Sequence, residues 1–320
     1  MKRRQFASSF FFFYAWEMPE NTFALPSFAK INLLLRVSGK RADGFHELCT
    51  VFQTVSLRDY LTFGENKKIV LTCDDAKIPA GDENLIVKAA KLLQTEFGVT
   101  EGAKIHLEKK IPAPGGLGGG SSNAATALIG IVRLWELKIE FLDLCELGKS
   151  IGSDVPFFFY GGTAIGTGRG TEITQTEDFQ AENILIVTPN VDVSTKDAFA
   201  RMNAPDLTNK TSKSILKICR YEAESLYLRQ SNLKNDFEAT VFELYPETAR
   251  VKKKLLDCGA EYALLSGSGA SVFAIFDSDL KRREVFDELQ NERAWRVFAV
   301  ETISRQDYQN QLNFGEILHS

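Results

Sequence analysis

Short runs of branched and apolar residues alternate with amphipathic stretches along the chain from Pro26 onward. Such runs are typical of β-strands, whereas apolar positions that recur every three to four residues predict helices. The alternation of the two patterns predicts a mixed α/β protein. The predicted strands are residues 28–37, 51–56, 69–73, 105–107, 183–189, 262–266, 271–276 and 296–301. The predicted helices are residues 84–97, a helix that opens at residue 124, and residues 141–150, 238–245, 247–258 and 280–291.

Changes in composition along the chain predict its organisation. Residues 161–170 are rich in glycine and typical of a turn-rich hairpin, and the polar residues 203–214 predict an exposed loop. The chain starts with a basic cluster and a short apolar run, but no small-residue cleavage site follows, so we expect a disordered or over-extended leader. The expected organisation is a leader at residues 1–25, an N-terminal domain at 26–175, a C-terminal domain at 176–310 and a tail at 311–320.

Composition and charge narrow the class of protein. Apolar residues make up 44% and charged residues 25% of the chain, which is close to globular averages and excludes a disordered or collagen-like protein. The formal net charge of −4 disfavours nucleic acid as the main partner. The five cysteines are scattered without a CxxC pair, which fits a reducing compartment, and no apolar run is long enough to span a membrane. We therefore expect a cytoplasmic protein without a nucleic-acid or membrane partner.

The most unusual stretch of the chain is a glycine loop, residues 115–120, in which five glycines accompany Leu117. Glycine costs conformational entropy on folding, so this cluster indicates a backbone that turns sharply and presents bare N–H groups. A predicted helix follows, and Ser121 or Ser122 could cap its N-terminus, where unpaired N–H groups and partial positive charge favour anions. The loop lacks the lysine of a P-loop and the spacing of a dinucleotide fingerprint. It predicts a phosphate-binding site of another kind.

Three motifs, in this order, resemble those of the GHMP kinases, which phosphorylate small-molecule hydroxyl groups with ATP. They are Ala29-Lys30-Ile31-Asn32-Leu33 near the start, the glycine loop with its flanking Pro112 and Ser121-Ser122, and Leu265-Ser-Gly-Ser-Gly-Ala-Ser271 near the end. The resemblance covers residues 26 to about 305. It implies a two-domain α+β fold, with an N-terminal nucleotide domain like that of ribosomal protein S5 and a C-terminal α+β substrate domain.

A finer resemblance is carried by two further strings, Arg41-Ala42-Asp43-Gly44-Phe45-His46-Glu47-Leu48 and Gly152-Ser153-Asp154-Val155-Pro156-Phe157. They are similar to those of the GHMP kinases that act on a cytidine diphosphate-linked polyol in the non-mevalonate route to isoprenoid precursors. The resemblance implies transfer of the ATP γ-phosphate to the 2-hydroxyl group of that polyol. Mg²⁺ is expected as well, because it neutralises the phosphates of ATP.

The resemblance also implies roles for single residues. Asp154 would accept the proton of the substrate hydroxyl, and Lys30 would keep that carboxylate ionised. Phe45 and Phe199 would stack on the two faces of the cytosine, and His46 would bond its edge. The implied ATP-binding residues are Asn84, Lys109, Pro112, Gly115, Gly116, Leu117, Gly118, Gly119, Gly120, Ser121 and Ser122. The implied substrate-binding residues are Asn32, Phe45, His46, Thr195 and Phe199, and Gly267, Ser268 and Gly269 would brace the glycine loop. The sequence does not identify the Mg²⁺ ligands, although Ser121 or Ser122 could contribute.

Several of these residues also have a plainer structural explanation. Asp154 could be a turn former and Asn84 a helix cap, while Lys109 could be a solvated strand end and Phe199 part of a helix core. Pro114 departs from the family pattern, because relatives usually carry a small flexible residue there, and it removes one N–H group just before the loop. The alternative functions are a GHMP-fold kinase that acts on another small alcohol and a non-catalytic nucleotide-binding protein.

Overall fold

A computed structural model describes residues 22–202, 217, 221 and 233–313 of the chain. Most of the predicted leader and the predicted loop at 203–214 lie outside the described residues. The described strands are β1 (Phe23–Lys40), β2 (His46–Asn66), β3 (Val70–Cys73), β4 (Gly102–Glu108), β5 (Thr163–Gly168), β6 (Glu172–Gln175), β7 (Ile184–Pro189), β8 (Lys234–Asn235), β9 (Tyr262–Leu265), β10 (Val272–Ile275) and β11 (Trp295–Val300). The described helices are α1 (Leu85–Phe97), α2 (Gly119–Leu134), α3 (Phe141–Ile151), α4 (Phe157–Tyr160), α5 (Thr195–Arg201), α6 (Glu238–Leu244), α7 (Pro246–Asp257), α8 (Asp279–Leu289) and α9 (Arg305–Leu312). None of the helices in these ranges has the length and apolar character needed to cross a bilayer.

The two longest strands, β1 and β2, form an antiparallel hairpin at the centre of a seven-stranded sheet. The strand order is β3-β4-β2-β1-β8, and β5 and β6 extend the sheet from β2. β2 pairs with β4 through residues 60–66 and with β5 through residues 48–53, so this one strand joins both parts of the sheet. The hairpin therefore fixes the position of every residue that the sequence singles out near the start of the chain.

A second sheet of four antiparallel strands, in the order β11-β7-β10-β9, packs against the first. Helices α1, α2 and α3 cover one face of the larger sheet, where Phe63 shares a core with Leu93 and Leu128. The opposite face of that sheet meets the smaller sheet, where Ile31 shares a core with Ile186. Helices α6, α7 and α8 cover the far side of the smaller sheet. The layers are thus helices, sheet, sheet and helices, as expected for the predicted α/β class.

Most predicted elements lie where the pattern places them. Helix α1 begins after Asn84, whose side chain accepts a hydrogen bond from the Ile86 N–H group at 2.9 Å, and it ends at Gly98 in the left-handed conformation. The start of α2 differs from the prediction, because the helix begins at Gly119 rather than at residue 124. Its cap is Gly118, and both following serines already lie inside the helix, so the predicted serine cap is wrong.

Candidate active site

The glycine loop is held in place through its carbonyl groups. Those of Gly115, Gly116 and Leu117 all accept hydrogen bonds from other parts of the chain. None of the described residues accepts a hydrogen bond from the N–H groups of residues 116–121. The loop thus turns its acceptors inwards and leaves its donors free, which suits an anion such as a phosphate. The donors to the loop are the Ser271 N–H group (3.1 Å), the Ser266 hydroxyl and the Lys30 ammonium (3.0 Å each, both to Gly116), and the Lys30 N–H group (3.0 Å).

Two positions in the loop require glycine. Gly116 has a φ angle of +71°, and a Cβ atom there would lie 2.0 Å from the carbonyl oxygen of Ser266. Gly118 has a φ angle of +69°, and a Cβ atom there would lie 2.9 Å from Cγ of Lys30. A side chain in the left-handed region is strained even without a contact. Only glycine therefore lets the loop lie directly against Lys30 and the backbone of Ser266.

The first turn of α2 is open to a ligand. Gly118 caps the helix without a side-chain hydrogen bond, and the turn holds no acidic residue that would neutralise its partial positive charge. Ser121 is half-buried, and its Oγ lies 3.8 Å from where a Cβ atom on Gly152 would sit. Ser122 is fully buried, and its Oγ accepts a hydrogen bond from Ser27 at 2.8 Å. The Ser122 hydroxyl therefore faces the core, whereas Ser121 lies on the side of the site.

Asn84 and Lys109, the two residues expected near the adenine, are both engaged by protein groups. Asn84 caps α1 and donates to the Pro79 carbonyl at 2.6 Å. Lys109 forms an ion pair with Asp59 at 2.6 Å and donates to the Ile111 carbonyl at 2.6 Å. The Lys109 side chain is only 5% exposed, so the explanation as a solvated strand end does not hold. Contacts of the two residues with a nucleotide stay a prediction.

Lys30 and Asp154 meet beside the glycine loop. The Nζ atom of Lys30, on β1, lies 3.5 Å from Oδ2 of Asp154. Asp154 stands in the turn between α3 and α4, where Pro156 prevents a continuous helix. The Lys30 side chain is 4% exposed and that of Asp154 is 32% exposed, so the cation is buried while the carboxylate opens to solvent. Burial lowers the pKa of Lys30, and the Asp154 carboxylate partly counteracts this by favouring the charged form.

Asn32 fixes the position of Lys30. Its side-chain oxygen accepts a hydrogen bond from Lys30 Nζ at 2.7 Å, and its amide group donates to the Thr50 hydroxyl at 2.7 Å. Thr50 in turn donates to the Leu34 carbonyl at 2.7 Å. Asn32 is fully buried. Both polar ends of its side chain are used by the protein, so a contact with substrate would replace one of these bonds, and its substrate role stays a prediction.

The C-terminal glycine turn, residues 267–269, packs against the glycine loop. A Cβ atom on Gly267 would lie 3.2 Å from Lys30 Nζ. The buried side chain of Asn235 donates to the carbonyl groups of Leu265 and Gly267, at 2.7 Å each, and so holds the turn from behind. The turn, the glycine loop and Lys30 form one packed unit, which is the geometry expected of residues that brace the loop.

The motif at residues 41–48 builds the β1–β2 turn. The Arg41 guanidinium bonds Asp43 at 3.1 Å and Glu47 at 2.6 Å, and Gly44 adopts a φ angle of +85°. Asp43 also accepts a hydrogen bond from the Phe45 N–H group at 3.1 Å. The charged residues of the motif therefore fix the turn, and the turn projects its aromatic residue outwards.

Phe45 and His46 stand at this turn, and Phe199 of α5 contacts one of them. Phe45 is 48% exposed, and the guanidinium carbon of Arg169 lies 3.5 Å from its ring centroid. The rings of His46 and Phe199 are stacked, with their centroids 4.8 Å apart, and Phe199 also packs edge-on against Phe237 at 4.7 Å. A base inserted between the two rings needs more room than this, because a single stacked aromatic pair already keeps its centroids about 4.5–7 Å apart. The face of Phe199 that meets His46 is thus closed to a base in this arrangement.

His46 is a neutral hydrogen-bonding group at neutral pH. Burial, and secondly the nearby charge of Lys40, lower the pKa of His46 below its ordinary value of 6.5. A neutral imidazole offers one donor and one acceptor, which is what the edge of a cytosine ring requires of a partner.

Helix α5 joins the two ends of the site. Thr195, its first residue, shares a hydrogen bond of 2.7 Å with Ser268 of the C-terminal glycine turn. Phe199 lies one helical turn further on, about 6 Å along the axis, and contacts His46. The aromatic end of the site and the Lys30 end therefore lie at the two ends of one short helix.

The protein presents no ready-made metal cage in the part that the structure describes. No group of three or more histidine, cysteine, aspartate or glutamate side chains lies close enough together there to hold a metal ion. Mg²⁺ usually keeps several waters and binds through substrate phosphates with one or two carboxylates. A magnesium ion at this site would therefore depend on the phosphates of the nucleotide.

The sequence analysis missed two residues that shape the site, Asp59 and Asn235. Asp59 stands between Leu57 and Leu61 in a strand whose alternate residues are apolar, so it occupies an inward position. A carboxylate at an inward position of a strand indicates a buried polar contact, so Asp59 could have been identified from the sequence. Asn235 lies in the two-residue strand β8, and no local pattern indicates its contact with the C-terminal glycine turn.

Known proteins match this chain over most of its length. Family models for the GHMP kinases N terminal domain and the GHMP kinases C terminal match residues 84–162 and 222–294. The 4-diphosphocytidyl-2-C-methyl-D-erythritol kinase of Thermoanaerobacter pseudethanolicus is 35% identical over 280 residues, which cover 87% of this chain and 96% of the relative. The kinase of the same name from Protochlamydia amoebophila is 41% identical over 249 residues, with coverages of 77% and 82%.

A solved structure agrees with these relatives. A crystal structure of 4-(cytidine 5'-diphospho)-2C-methyl-D-erythritol kinase matches with a TM-score of 0.71 at 30% identity, covering 88% of this chain and 99% of that one. The matches confirm the resemblance carried by the motifs and the fold that it implies. The chain is a small-molecule kinase that uses ATP, and it belongs to the GHMP kinases and, within them, to the family of the 4-diphosphocytidyl-2-C-methyl-D-erythritol kinases.

Proposed function

We propose that this kinase transfers the γ-phosphate of ATP to the 2-hydroxyl group of 4-diphosphocytidyl-2-C-methyl-D-erythritol, a step of the non-mevalonate route to isoprenoid precursors. The observation that carries the proposal is the Lys30–Asp154 pair, 3.5 Å apart, which touches the glycine loop through the Gly116 carbonyl. The names of the relatives supply the substrate. The aromatic residues around the β1–β2 turn support a base-binding end of the site.

Asp154 acts as the base in this proposal. Its partly exposed carboxylate accepts the proton of the substrate hydroxyl as that oxygen attacks the phosphorus atom. Phosphoryl transfer depends mostly on positioning and charge stabilisation, so one well-placed carboxylate is enough to activate the acceptor hydroxyl. The buried ammonium of Lys30 favours the ionised form of that carboxylate, and its bonds to Asn32 and Gly116 fix it between the base and the loop.

The glycine loop and the first turn of α2 bind the phosphates of ATP. ATP supplies the phosphoryl group that is transferred. The unpaired N–H groups of residues 116–121 and the positive end of α2 stabilise the negative charge of the nucleotide. The loop is already held by its carbonyl groups, so it can bind phosphate without the cost of ordering a mobile segment.

The aromatic end of the site recognises the cytidine. The substrate is long, with a base at one end and a polyol at the other. Helix α5 connects the two ends of the site, since Phe199 contacts His46 and Thr195, one turn earlier, contacts Ser268. Phe45 offers a second, exposed ring for stacking. A bound cytosine would separate His46 from Phe199 or stack on the open face of Phe45.

Release of ADP from ATP and Mg²⁺ tests this function. The cytidylated substrate is compared with the unmodified methylerythritol phosphate, which lacks the cytidine, and with homoserine. We expect turnover with the cytidylated substrate alone, because only this compound engages the aromatic end of the site. Turnover of either of the other two compounds at a similar kcat/KM would contradict the proposed substrate specificity. Tight ATP binding without turnover of any acceptor would favour the non-catalytic alternative.

Replacing His46 by alanine should weaken substrate binding rather than catalysis. The variant loses a hydrogen bond and a ring contact, so we expect KM for the cytidylated substrate to rise by roughly tenfold while KM for ATP stays within about threefold. Because the pKa of His46 is lowered, the imidazole stays neutral until the pH falls below its ordinary range. The substrate KM of the native protein should therefore rise only at acidic pH, and this rise should be absent in His46→Ala.

His106→Ala is the matched control for this variant. His106 lies on β4 and contacts Thr72, away from the β1–β2 turn. Both KM values of the control should equal those of the native protein. A His46→Ala variant that changes only the KM for ATP would show that the base-binding end of the site is assigned to the wrong residues.

A further inference from the structure

Asp59 is a fully buried carboxylate that accepts hydrogen bonds from residues on both sides of the glycine loop. Its Oδ1 atom accepts hydrogen bonds from the N–H groups of Lys110 and Ile111, at 2.7 and 2.8 Å. Its Oδ2 atom accepts from the Lys109 ammonium at 2.6 Å and from the Asn123 amide at 2.9 Å. Both oxygens are thus satisfied, as a buried carboxylate requires.

These partners flank the glycine loop on both sides. Lys110 and Ile111 directly precede Pro112, which flanks the loop on its N-terminal side. Asn123 lies in the helix that follows the loop. A single carboxylate on β2 therefore ties the entry and the exit of the loop to the central sheet. The Asn123 amide also donates to Ser27 at 2.8 Å, so the exit is bonded to β1 as well.

The ion pair of Asp59 places a positive charge beside the phosphate-binding backbone. The Nζ atom of Lys109 lies 3.2 Å from where a Cβ atom on Gly119 would sit, at the first residue of α2. The Lys109 side chain is 5% exposed, and that of Asp59 is not exposed at all. A buried lysine without a partner would leave this position or lose its proton. Burial lowers the pKa of Lys109, and the Asp59 carboxylate counteracts this by favouring the charged ammonium, which it also holds in place.

We propose that Asp59 is a positioning residue for the nucleotide phosphates: it fixes both ends of the glycine loop and holds the Lys109 ammonium against the first turn of α2. The proposal rests on the proposed phosphate-binding role of that loop. Asp59 touches neither the phosphates nor the acceptor hydroxyl, and acts through the loop and through Lys109. Its loss should therefore affect the nucleotide side of the reaction and spare the cytidine side.

Asp59→Asn tests the proposal, with Asp178→Asn as the matched control. Asp178 also bonds two backbone N–H groups, those of Thr163 and Arg305 at 2.8 Å each, but it joins β5 to α9 and contacts no part of the glycine loop. The Kd of ADP is measured by calorimetry, the KM values of ATP and the cytidylated substrate by ADP release, and Tm by thermal unfolding. Asp178→Asn should lower Tm with both KM values unchanged.

For Asp59→Asn we expect the ADP Kd and the ATP KM to rise by roughly tenfold or more, because small displacements of positioning groups have large effects. The KM for the cytidylated substrate should change by less than about threefold. Equal rises in both KM values, or an ADP Kd equal to that of Asp178→Asn, would overturn the proposal. If the native protein itself fails to bind ADP, the proposed function fails and the role of Asp59 fails with it, whereas ADP binding that Asp59→Asn leaves unchanged overturns the role of Asp59 alone.

Asn123→Ala keeps the proposal testable if Asp59→Asn does not fold. This variant removes one donor to the carboxylate and leaves the ion pair with Lys109 in place. We expect the ADP Kd to rise by a smaller factor than in Asp59→Asn, with the KM for the cytidylated substrate unchanged. An unchanged ADP Kd in Asn123→Ala would count against Asp59 as the residue that positions the loop.

Discussion

Replacing Asp154 by asparagine should lower kcat by about 10²–10⁴-fold, the usual contribution of a positioned general base. The amide has nearly the same shape as the carboxylate, but it cannot accept the proton of the attacking hydroxyl. The glycine loop is bonded to Lys30 and Ser266 and not to Asp154, so the nucleotide-binding backbone keeps its position. We therefore expect an ADP Kd within about threefold of the native value. Steady-state ADP release measures kcat, and calorimetry measures the ADP Kd.

Asp279→Asn is the control for this variant. Asp279 also pairs with cations, Arg282 at 2.5 Å and Arg283 at 2.7 Å, but it lies at the start of α8 on the far side of the smaller sheet. Its loss should leave kcat unchanged. A kcat for Asp154→Asn within tenfold of the native value would show that another group accepts the proton, or that the chemistry needs no base at this position.

Replacing Gly116 by alanine should abolish useful nucleotide binding. Its φ angle of +71° strains any side chain, and the new Cβ atom would lie 2.0 Å from the backbone oxygen of Ser266. Neither backbone can yield without breaking the contact between the glycine loop and the C-terminal glycine turn. We expect the ADP Kd to rise by about 100-fold or more, since the free N–H groups of the loop are displaced. Calorimetry with ADP measures the effect.

Gly98→Ala separates backbone strain from the contact. Gly98 has a similar φ angle, +64°, but a Cβ atom there would meet nothing within 4 Å, and it ends α1 away from the loop. This control should lose about 1–2 kcal/mol of stability through strain alone and bind ADP normally. If Gly116→Ala binds ADP as tightly as Gly98→Ala, the packed loop is not the nucleotide site.

The sequence predicts the parts of the site whose chemistry is local. Five glycines within six residues need a backbone explanation wherever they occur, and Lys30 is conspicuous in an apolar strand. The structure places both at one point, with the Lys30 ammonium 3.0 Å from the Gly116 carbonyl. The loop and the lysine could therefore be predicted from their residue types, and the resemblance to the GHMP kinases added the partner Asp154.

The remaining features depend on contacts between distant segments. Helix α2 begins at Gly119, so the last two glycines of the loop already form its first turn. A pattern of apolar positions cannot show this, because these residues carry no side chain. Ser122 of α2 bonds Ser27 of β1, so its hydroxyl faces the core, and nothing in its own neighbourhood in the sequence indicates this. The stacking of His46 on Phe199 joins residues far apart in the chain. Such pairings follow from the fold of the whole chain.

The ³¹P NMR spectrum of the product tests the central claim most directly. The proposed acceptor carbon carries a methyl group and no hydrogen, so a phosphate on its oxygen has no proton three bonds away. We predict that ATP and the cytidylated substrate give one new phosphomonoester signal that remains a singlet without proton decoupling. A triplet from a CH₂ oxygen, a doublet from a CH oxygen, or no new monoester signal would contradict the account of how Lys30, Asp154 and the glycine loop act together.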